Sequence, residues 1–196
     1  MKILIIVDMQ NDFCGPEGSL STPEAQSVVP KVVNAINRYA SKDTIVLFTK
    51  DTHHKNYADT LEGKNLPVPH CIAGTPGHEI NEFIYSTYLI NEDYYKSLEI
   101  LPFYAETMKG NIIEKPTFGS IELQNVLYAL NDYETVESIT LMGIDTSICV
   151  LSNAILCKAT LPEVPVNVIA ECCSSVTPET HQRALEVMKL CQINII

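Results

Sequence analysis

The stretch Lys2-Ile3-Leu4-Ile5-Ile6-Val7-Asp8 decides the fold. It is an uninterrupted apolar run of strand length that ends on an acid, and it reads as a buried strand. Outward from it the period changes. Ala25 to Ala40 places Val28, Val29, Val32, Val33 and Ile36 at helical spacing, and Thr44 to Lys50 returns to a strand. The same alternation continues with a strand at Asn111 to Lys115, a helix from about Ser120 to Leu130 and a strand at Ser138 to Gly143. A helix at Ser147 to Ala159, a strand at Val164 to Ala170, a helix at Pro178 to Lys189 and a last strand at Ile193 to Ile195 complete it. Strands and helices in turn predict an α/β fold, a mostly parallel sheet sandwiched between helices on both faces.

The chain has 196 residues, which suits a single domain over residues 1–196 with a core large enough to need no staples. Met1-Lys2 leads straight into the first strand without a secretory leader pattern, which predicts a cytoplasmic protein. No stretch has the apolar length of a membrane span, so a soluble protein without a membrane partner is expected. The seven cysteines, an odd number placed mainly among apolar residues, do not form a disulfide framework. A formal charge of −11 argues against nucleic acid and against an anionic membrane surface.

Binding sites in such sheets lie beyond the carboxyl ends of the strands. Asp8, Asp51, Lys115 and Asp145 all fall there, and Cys149 follows at the start of a helix. A free thiol is mostly protonated at neutral pH and needs a base or a lowered pKa to act as a nucleophile. Asp8 can accept its proton, Lys115 can hold the carboxylate, and the helix start adds the positive end of its dipole. The long irregular stretch Asp51 to Thr75 is rich in His, Pro and Gly, and loops of that length tend to be functional.

Three segments then carry a resemblance: Asp8-Met9-Gln10-Asn11-Asp12-Phe13, Glu114-Lys115-Pro116-Thr117-Phe118-Gly119-Ser120, and Gly143-Ile144-Asp145-Thr146-Ser147-Ile148-Cys149-Val150. In this order and over nearly the whole chain they resemble the signature segments of the isochorismatase-like cysteine hydrolases. The resemblance implies a six-stranded sheet and a catalytic set of Asp8, Lys115 and Cys149. It also implies a cis peptide before Asp145 and an oxyanion hole built from the backbone amides of Asp145 and Cys149. Within that family, Asp51-Thr52-His53, Glu62, Pro69-His70-Cys71 and Gly74-Thr75-Pro76-Gly77 resemble the metal-binding segment of the nicotinamidase branch.

On the residues themselves, an acid and a histidine two apart in extended chain project to the same side. With His70 and Glu62, Asp51 and His53 offer mixed nitrogen and oxygen ligands for a divalent ion, zinc first, with iron or manganese as alternatives. The resemblance further implies hydrolysis of nicotinamide through a Cys149 thioester, with the substrate's pyridine nitrogen on the metal and its ring against Phe13 and Phe118. A homo-oligomer is expected on the same ground. His54, His78 and His181 read as surface or structural residues. Two features depart from the branch: the chain has no tryptophan, so Leu66-Pro67-Val68-Pro69 precedes His70 and one pocket wall becomes aliphatic, and Asp145 replaces a small apolar residue. Asn91 to Lys109, with Tyr94, Tyr95, Phe103 and Tyr104, reads as an extra surface segment, a lid or a subunit contact. The alternatives are a metal-free relative acting on another amide, carbamoyl group or vinyl ether, and a redox or ligand-binding module that uses Cys149 as a sensing thiol.

Overall fold

The computed structural model describes residues 1–97 and 110–196. Six strands form one sheet: β1 (Lys2–Val7), β2 (Thr44–Asp51), β3 (Ile112–Lys115), β4 (Ser138–Ile144), β5 (Val166–Ser174) and β6 (Asn194–Ile195). Their order across the sheet is β3-β2-β1-β4-β5-β6, and every neighbouring pair is parallel. β1 lies at the centre, which is why Ile3 to Val7 are at most 1 % exposed and carry no polar alternation.

The helices are short α1 (Asn11–Cys14), α2 (Pro23–Tyr39), short α3 (Leu61–Asn65), α4 (Glu82–Ile90), α5 (Ile121–Tyr133), α6 (Leu151–Thr160) and α7 (Pro178–Leu190). Right-handed crossovers put a helix on one face when the chain steps one way across the sheet and on the other face when it steps back. The chain steps outward from β1 to β2 to β3 through α2 and α4, which pack on each other. It then returns across β4, β5 and β6 through α5, α6 and α7, which also pack in sequence. The strand order therefore reverses between β1 and β4, and a crevice opens at their carboxyl ends. Asp8 and Asp145 sit on its two sides.

Local chemistry sets the helix starts. Thr22 Oγ1 accepts from the Ala25 amide at 3.1 Å and Pro23 takes the first helical position, so α2 begins two residues before the apolar pattern does. Ser120 Oγ caps α5 in the same way through the Leu123 amide, and Thr177 with Thr180 forms a reciprocal cap on α7.

Besides α4 and the short α1 and α3, which the apolar pattern does not predict, the structure differs from the expected elements in three places. β5 runs on to Ser174 because a register shift between Leu141 and Gly143 lets Cys173 and Ser174 pair with the end of β4. The expected helix at Ser147 begins as a π-helical turn, Thr146–Val150, before α6 takes over. Within the expected surface segment Asn91 to Lys109, Tyr94 is 63 % exposed but Tyr95 is buried, donating its hydroxyl proton to Ile36 O at 2.5 Å. Residues 98–109 of that segment, with Phe103 and Tyr104, lie outside the described residues. Among the described residues, no helix is long and apolar enough to cross a membrane.

Candidate active site

β1 delivers Asp8 at its carboxyl end, where the chain turns with φ of +49°. The Asp8 amide bonds to Thr49 at the end of β2, and Thr49 Oγ1 returns a hydrogen bond to Asp8 Oδ1 at 2.6 Å. The other carboxylate oxygen lies 2.6 Å from Lys115 Nζ, an ion pair in which both side chains are fully buried. Lys115 comes from the last residue of β3. Its ammonium also donates to Thr117 O at 3.0 Å and to Cys149 Sγ at 3.7 Å. Cys149 sits in the π-helical turn that follows β4, and the Ile144–Asp145 peptide at the start of that turn is cis. Residues at positions 8, 115 and 149, at or just past the carboxyl ends of three strands, thus meet in one buried cluster.

Burial and charge set the protonation states. Burial lifts Asp8 above the ordinary carboxylate value; Lys115 pulls it back, and Asp51 adds to the rise. Burial alone would lower Lys115, but the Asp8 and Cys149 groups and Asp51 outweigh it and keep the ammonium firmly protonated. Burial, with the negative charge of Asp8, pushes the Cys149 thiol well above its usual range, against an opposing pull from Lys115. Lysine and helix start act in the direction expected for a thiolate, yet burial wins, and the sulfur rests as a thiol beside a carboxylate that holds protons more readily than an exposed one.

A second cluster adjoins the first through Asp51, whose Oδ1 is 3.7 Å from Lys115 Nζ. Asp51 Oδ2 lies 3.0 Å from His53 Nε2 and 3.4 Å from His70 Nε2; Glu62 Oε1 lies 3.5 and 3.7 Å from the same two nitrogens. Burial would raise Asp51, but the facing imidazoles and Lys115 hold its carboxyl well below the usual range. Burial and the neighbouring Asp51 charge lift Glu62. His70 Nδ1 lies 2.8 Å from Val68 O, so Nδ1–H donates there and Nε2 is the nitrogen turned to the cluster; burial would lower His70, but Asp51 and the Val68 carbonyl outweigh it and raise it. His53 Nε2 is buried with no hydrogen-bond partner among the described residues.

These four donors suit a divalent cation. Their ligand atoms lie within 4.8 Å of one another. Donors bound at about 2.0–2.2 Å to one divalent ion stand roughly 3.0–3.5 Å apart across the coordination geometries that such ions adopt, close to the 3.0–3.7 Å between the carboxylate oxygens and the imidazole nitrogens. An ion bound here would give the His53 nitrogen, which has no hydrogen-bond partner among the described residues, a bond.

The expected irregular stretch Asp51 to Thr75 is more ordered than its composition suggests. His53 and Ile72 form a parallel bridge, with His53 N to Cys71 O at 3.0 Å and Ala73 N to His53 O at 2.8 Å, and this brings His70 beside His53. Tyr57 is buried against both imidazoles, with ring centroids 4.7 and 5.1 Å away, and its hydroxyl donates to Leu66 O. Gln10 is fully buried. Its side chain spans Asp51 N, Asp51 O and His78 O, pinning the strand end that carries Asp51. Asn153 ties the Cys149 carbonyl to Phe118 O and to the Ser120 amide.

Asp12 supports His70 indirectly by accepting from the Cys71 amide at 2.7 Å. A Cβ on Gly77 would overlap the Asp12 carboxylate. Gly77→Ala is therefore expected to cost about 1–3 kcal/mol and to weaken metal retention, checked by thermal melting and metal content; a variant with unchanged values would show that Asp12 can move freely.

Of the histidines left outside the site, His54 is exposed, while His78 is buried and His181 half-buried. His181 Nδ1 lies 2.9 Å from Thr146 Oγ1, and His78 Nε2 lies 2.9 Å from the Oγ1 of Thr52, which stands between Asp51 and His53 in the chain. Burial, and then Lys50, lowers His78 below its ordinary 6.5. The folded state thus prefers neutral His78, so this contribution to stability is complete above pH 6.5 and fades as pH falls from there toward the lower folded value. His78→Gln should flatten part of the loss of thermal stability below pH 6.5; parallel pH curves for variant and wild type would contradict that.

Phe13 and Phe118 stand on different sides of the site. Phe13 packs 5.5 Å from the His70 ring and lines a cavity of about 480 Å³, while Phe118, 44 % exposed, lines a neighbouring one of about 540 Å³ with His53 and Glu62. Leu66 and Ile148 line both cavities, so an aliphatic wall does stand ahead of His70.

The Isochorismatase domain family matches residues 2–86 and 96–196. The chain is 27 % identical to a nicotinamidase/pyrazinamidase of Mycobacterium tuberculosis, covering all of this chain and 98 % of that protein. Pyrazinamidase of Pyrococcus horikoshii, solved in complex with zinc, superposes with a TM-score of 0.73 at 26 % identity, covering 100 % and 98 % of the two chains. The pyrazinamidase/nicotinamidase of Streptococcus mutans has the same fold, with a TM-score of 0.79 at 23 % identity over the full length of both.

Proposed function

Since the chain belongs to the isochorismatase family, we propose that it is a metal-dependent cysteine amidohydrolase that converts nicotinamide and water to nicotinate and ammonia. One observation carries this reading: Lys115 of the buried Asp8, Lys115 and Cys149 cluster lies 3.7 Å from Asp51, one of four donors that could hold a cation, so a nucleophilic Cys149 and an ion held there would share one crevice. The related nicotinamidases support the choice of substrate.

In the proposed cycle Asp8 takes the Cys149 proton as the sulfur attacks the carboxamide carbon. The backbone amides of Asp145 and Cys149 donate to the oxyanion. Asp8 then gives its proton to the departing nitrogen, ammonia leaves, and a Cys149 thioester remains. Asp8 next deprotonates a water that attacks the thioester, releasing the carboxylic acid and restoring the thiol. Lys115 stays protonated throughout and balances the Asp8 charge, which keeps the base from rising too far to accept and release a proton near neutral pH. Asp51, His53, Glu62 and His70 would hold the ion, which when bound supplies a Lewis-acidic anchor for a ring nitrogen and so sets the carboxamide beside the sulfur. Phe13 and Phe118 would flank the ring. A cytoplasmic homo-oligomer serving nicotinamide salvage is the setting that we attach to this activity.

The test is ammonia release from nicotinamide by freshly purified protein, before and after chelation and after zinc is restored. Equimolar nicotinate and ammonia, lost on chelation and recovered with zinc, is the expected result. A folded, metal-loaded sample that releases no ammonia from nicotinamide would remove nicotinamide as the substrate; full activity without metal would favour a metal-free member of the family.

A further inference from the structure

The proposed cycle asks the Asp145 and Cys149 amides to donate to one oxyanion, so both must point at the same place before charge develops there. Cys149 lies in the π-helical turn Thr146–Val150, and Asp145 stands at its start. The Asp145 carbonyl closes this turn on itself, accepting from the Ile148 amide at 3.2 Å and from the Val150 amide at 2.9 Å. Those bonds set the shape of the turn. How the turn sits on the rest of the protein is a separate matter.

The Asp145 side chain supplies that second constraint. Its Oδ1 accepts within the turn from the Ser147 amide at 2.6 Å and the Ser147 hydroxyl at 2.8 Å. The same oxygen accepts from Ser175 Oγ at 2.7 Å, and Oδ2 accepts from the Val176 amide at 2.9 Å. Ser175 and Val176 belong to the connection from β5 to α7, so one carboxylate joins the nucleophile's turn to an element 30 positions away. Ser175 is buried, and its Oγ lies 2.9 Å from Thr180 Oγ1 in the first turn of α7. His181, the next residue of α7, adds the contact to Thr146 Oγ1. The bond to the Ser147 amide is an ordinary helix cap; those to Ser175 and Val176 cross to another element and go beyond capping. Hydrogen bonds to an ionised acceptor are about twice as strong as neutral ones, and a small apolar side chain at this position could make none of them.

We propose that the Asp145 side chain is a positioning residue for the oxyanion hole: by clamping the Thr146–Val150 turn to Ser175 and Val176, it holds the Asp145 and Cys149 amides in the direction that the transition state needs. Its hydrogen-bond partners include none of Asp8, Lys115 and the four candidate metal donors. Loss of the clamp therefore acts on an interaction made only in the transition state, which lowers kcat and leaves KM in place. The proposal rests on the amidohydrolase reading of the same site.

The experiment measures kcat and KM of the metal-loaded enzyme on nicotinamide, with metal content and the rate of Cys149 alkylation by iodoacetamide alongside. Alkylation displaces iodide and needs no oxyanion hole, so it reports on the sulfur alone. Asp145→Ala should lower kcat on the order of 10- to 100-fold, since the amides are misdirected but not deleted. KM should stay within about 2-fold, with alkylation and metal content unchanged. Asp145→Ser keeps a cap for the Ser147 amide but is one atom too short for the clamp, and it should remain as slow as the alanine variant. Recovery of kcat by serine would overturn the clamp in favour of a plain cap. Wild-type kcat in Asp145→Ala would overturn it too, as would a loss matched by slower alkylation, which marks a displaced sulfur. Should Asp145→Ala not fold, Ser175→Ala decides: it removes one of the four donors and should lower kcat by about 3-fold or more at unchanged KM, and wild-type kcat there overturns the clamp. A folded, metal-loaded wild-type protein that hydrolyses no amide would remove the amidohydrolase reading and the clamp with it.

Discussion

Cys149→Ala is expected to lower ammonia release by on the order of 10⁴-fold or more, to the background of the assay. The reason lies in the protonation pattern of the cluster. Cys149 is held as a thiol by burial and by Asp8, and Lys115 stays charged. Removing the sulfur leaves Asp8 and Lys115 paired but with no atom to form the thioester. Metal content should be unchanged, because Cys149 is not among the four donors and the two clusters are linked through Asp51 and Lys115. The melting temperature should also stay near that of the wild type, since only one sulfur is lost. Turnover measured beside metal content decides the matter: an alanine variant with full activity would exclude Cys149 as the nucleophile.

His53→Ala should have the next largest effect. Deleting it removes one of two imidazoles from the cluster and leaves Asp51 and Glu62 facing each other with His70 alone between them. A lost ligand costs more than a lost supporting hydrogen bond, which already lowers affinity about 10- to 100-fold, so the variant should lose its ion on dialysis. Activity should fall with it through weaker substrate orientation, appearing as a raised KM as well as a lowered kcat. The Cys149 cluster should survive, since Lys115 still bridges Asp8 and the sulfur, and thiol alkylation at Cys149 should remain measurable. Stoichiometric metal in dialysed His53→Ala, with unchanged kinetics, would show that His53 is not a ligand.

The residues that these predictions use were legible in the sequence because each closes a short, regular segment. Asp8, Lys115 and Asp145 follow apolar runs, and strand ends are where a parallel sheet opens its crevice. Asp51 and His53 were legible from a spacing of two in extended chain. Gln10, Asn153, Asp12 and Tyr57 were not, because the roles of the first three arise from contacts across 33 to 68 positions and that of Tyr57 from the fold of the loop. The sole local hint was a polar residue on an apolar stripe: Asn153 lies four positions after Cys149 and four before Cys157, all buried. α4 escaped notice for a different reason. Its buried Ile84 and Tyr88 are matched by Phe83, Leu89 and Ile90 on the exposed side, so no single apolar face marks the helix. The resting thiol was also not legible, since the contest between Lys115 and burial is decided only by how completely the fold encloses the sulfur.

The central claim is that the amide bond breaks through a thioester on Cys149, and hydroxylamine competition tests it most directly. During turnover of nicotinamide, a thioester would be divided between water and hydroxylamine. The account predicts nicotinohydroxamate rising at the expense of nicotinate, the two together equal to the ammonia released, and neither formed by Cys149→Ala. Steady ammonia release with nicotinate as the sole acyl product at every hydroxylamine concentration, from wild type and Cys149→Ala alike, would contradict it.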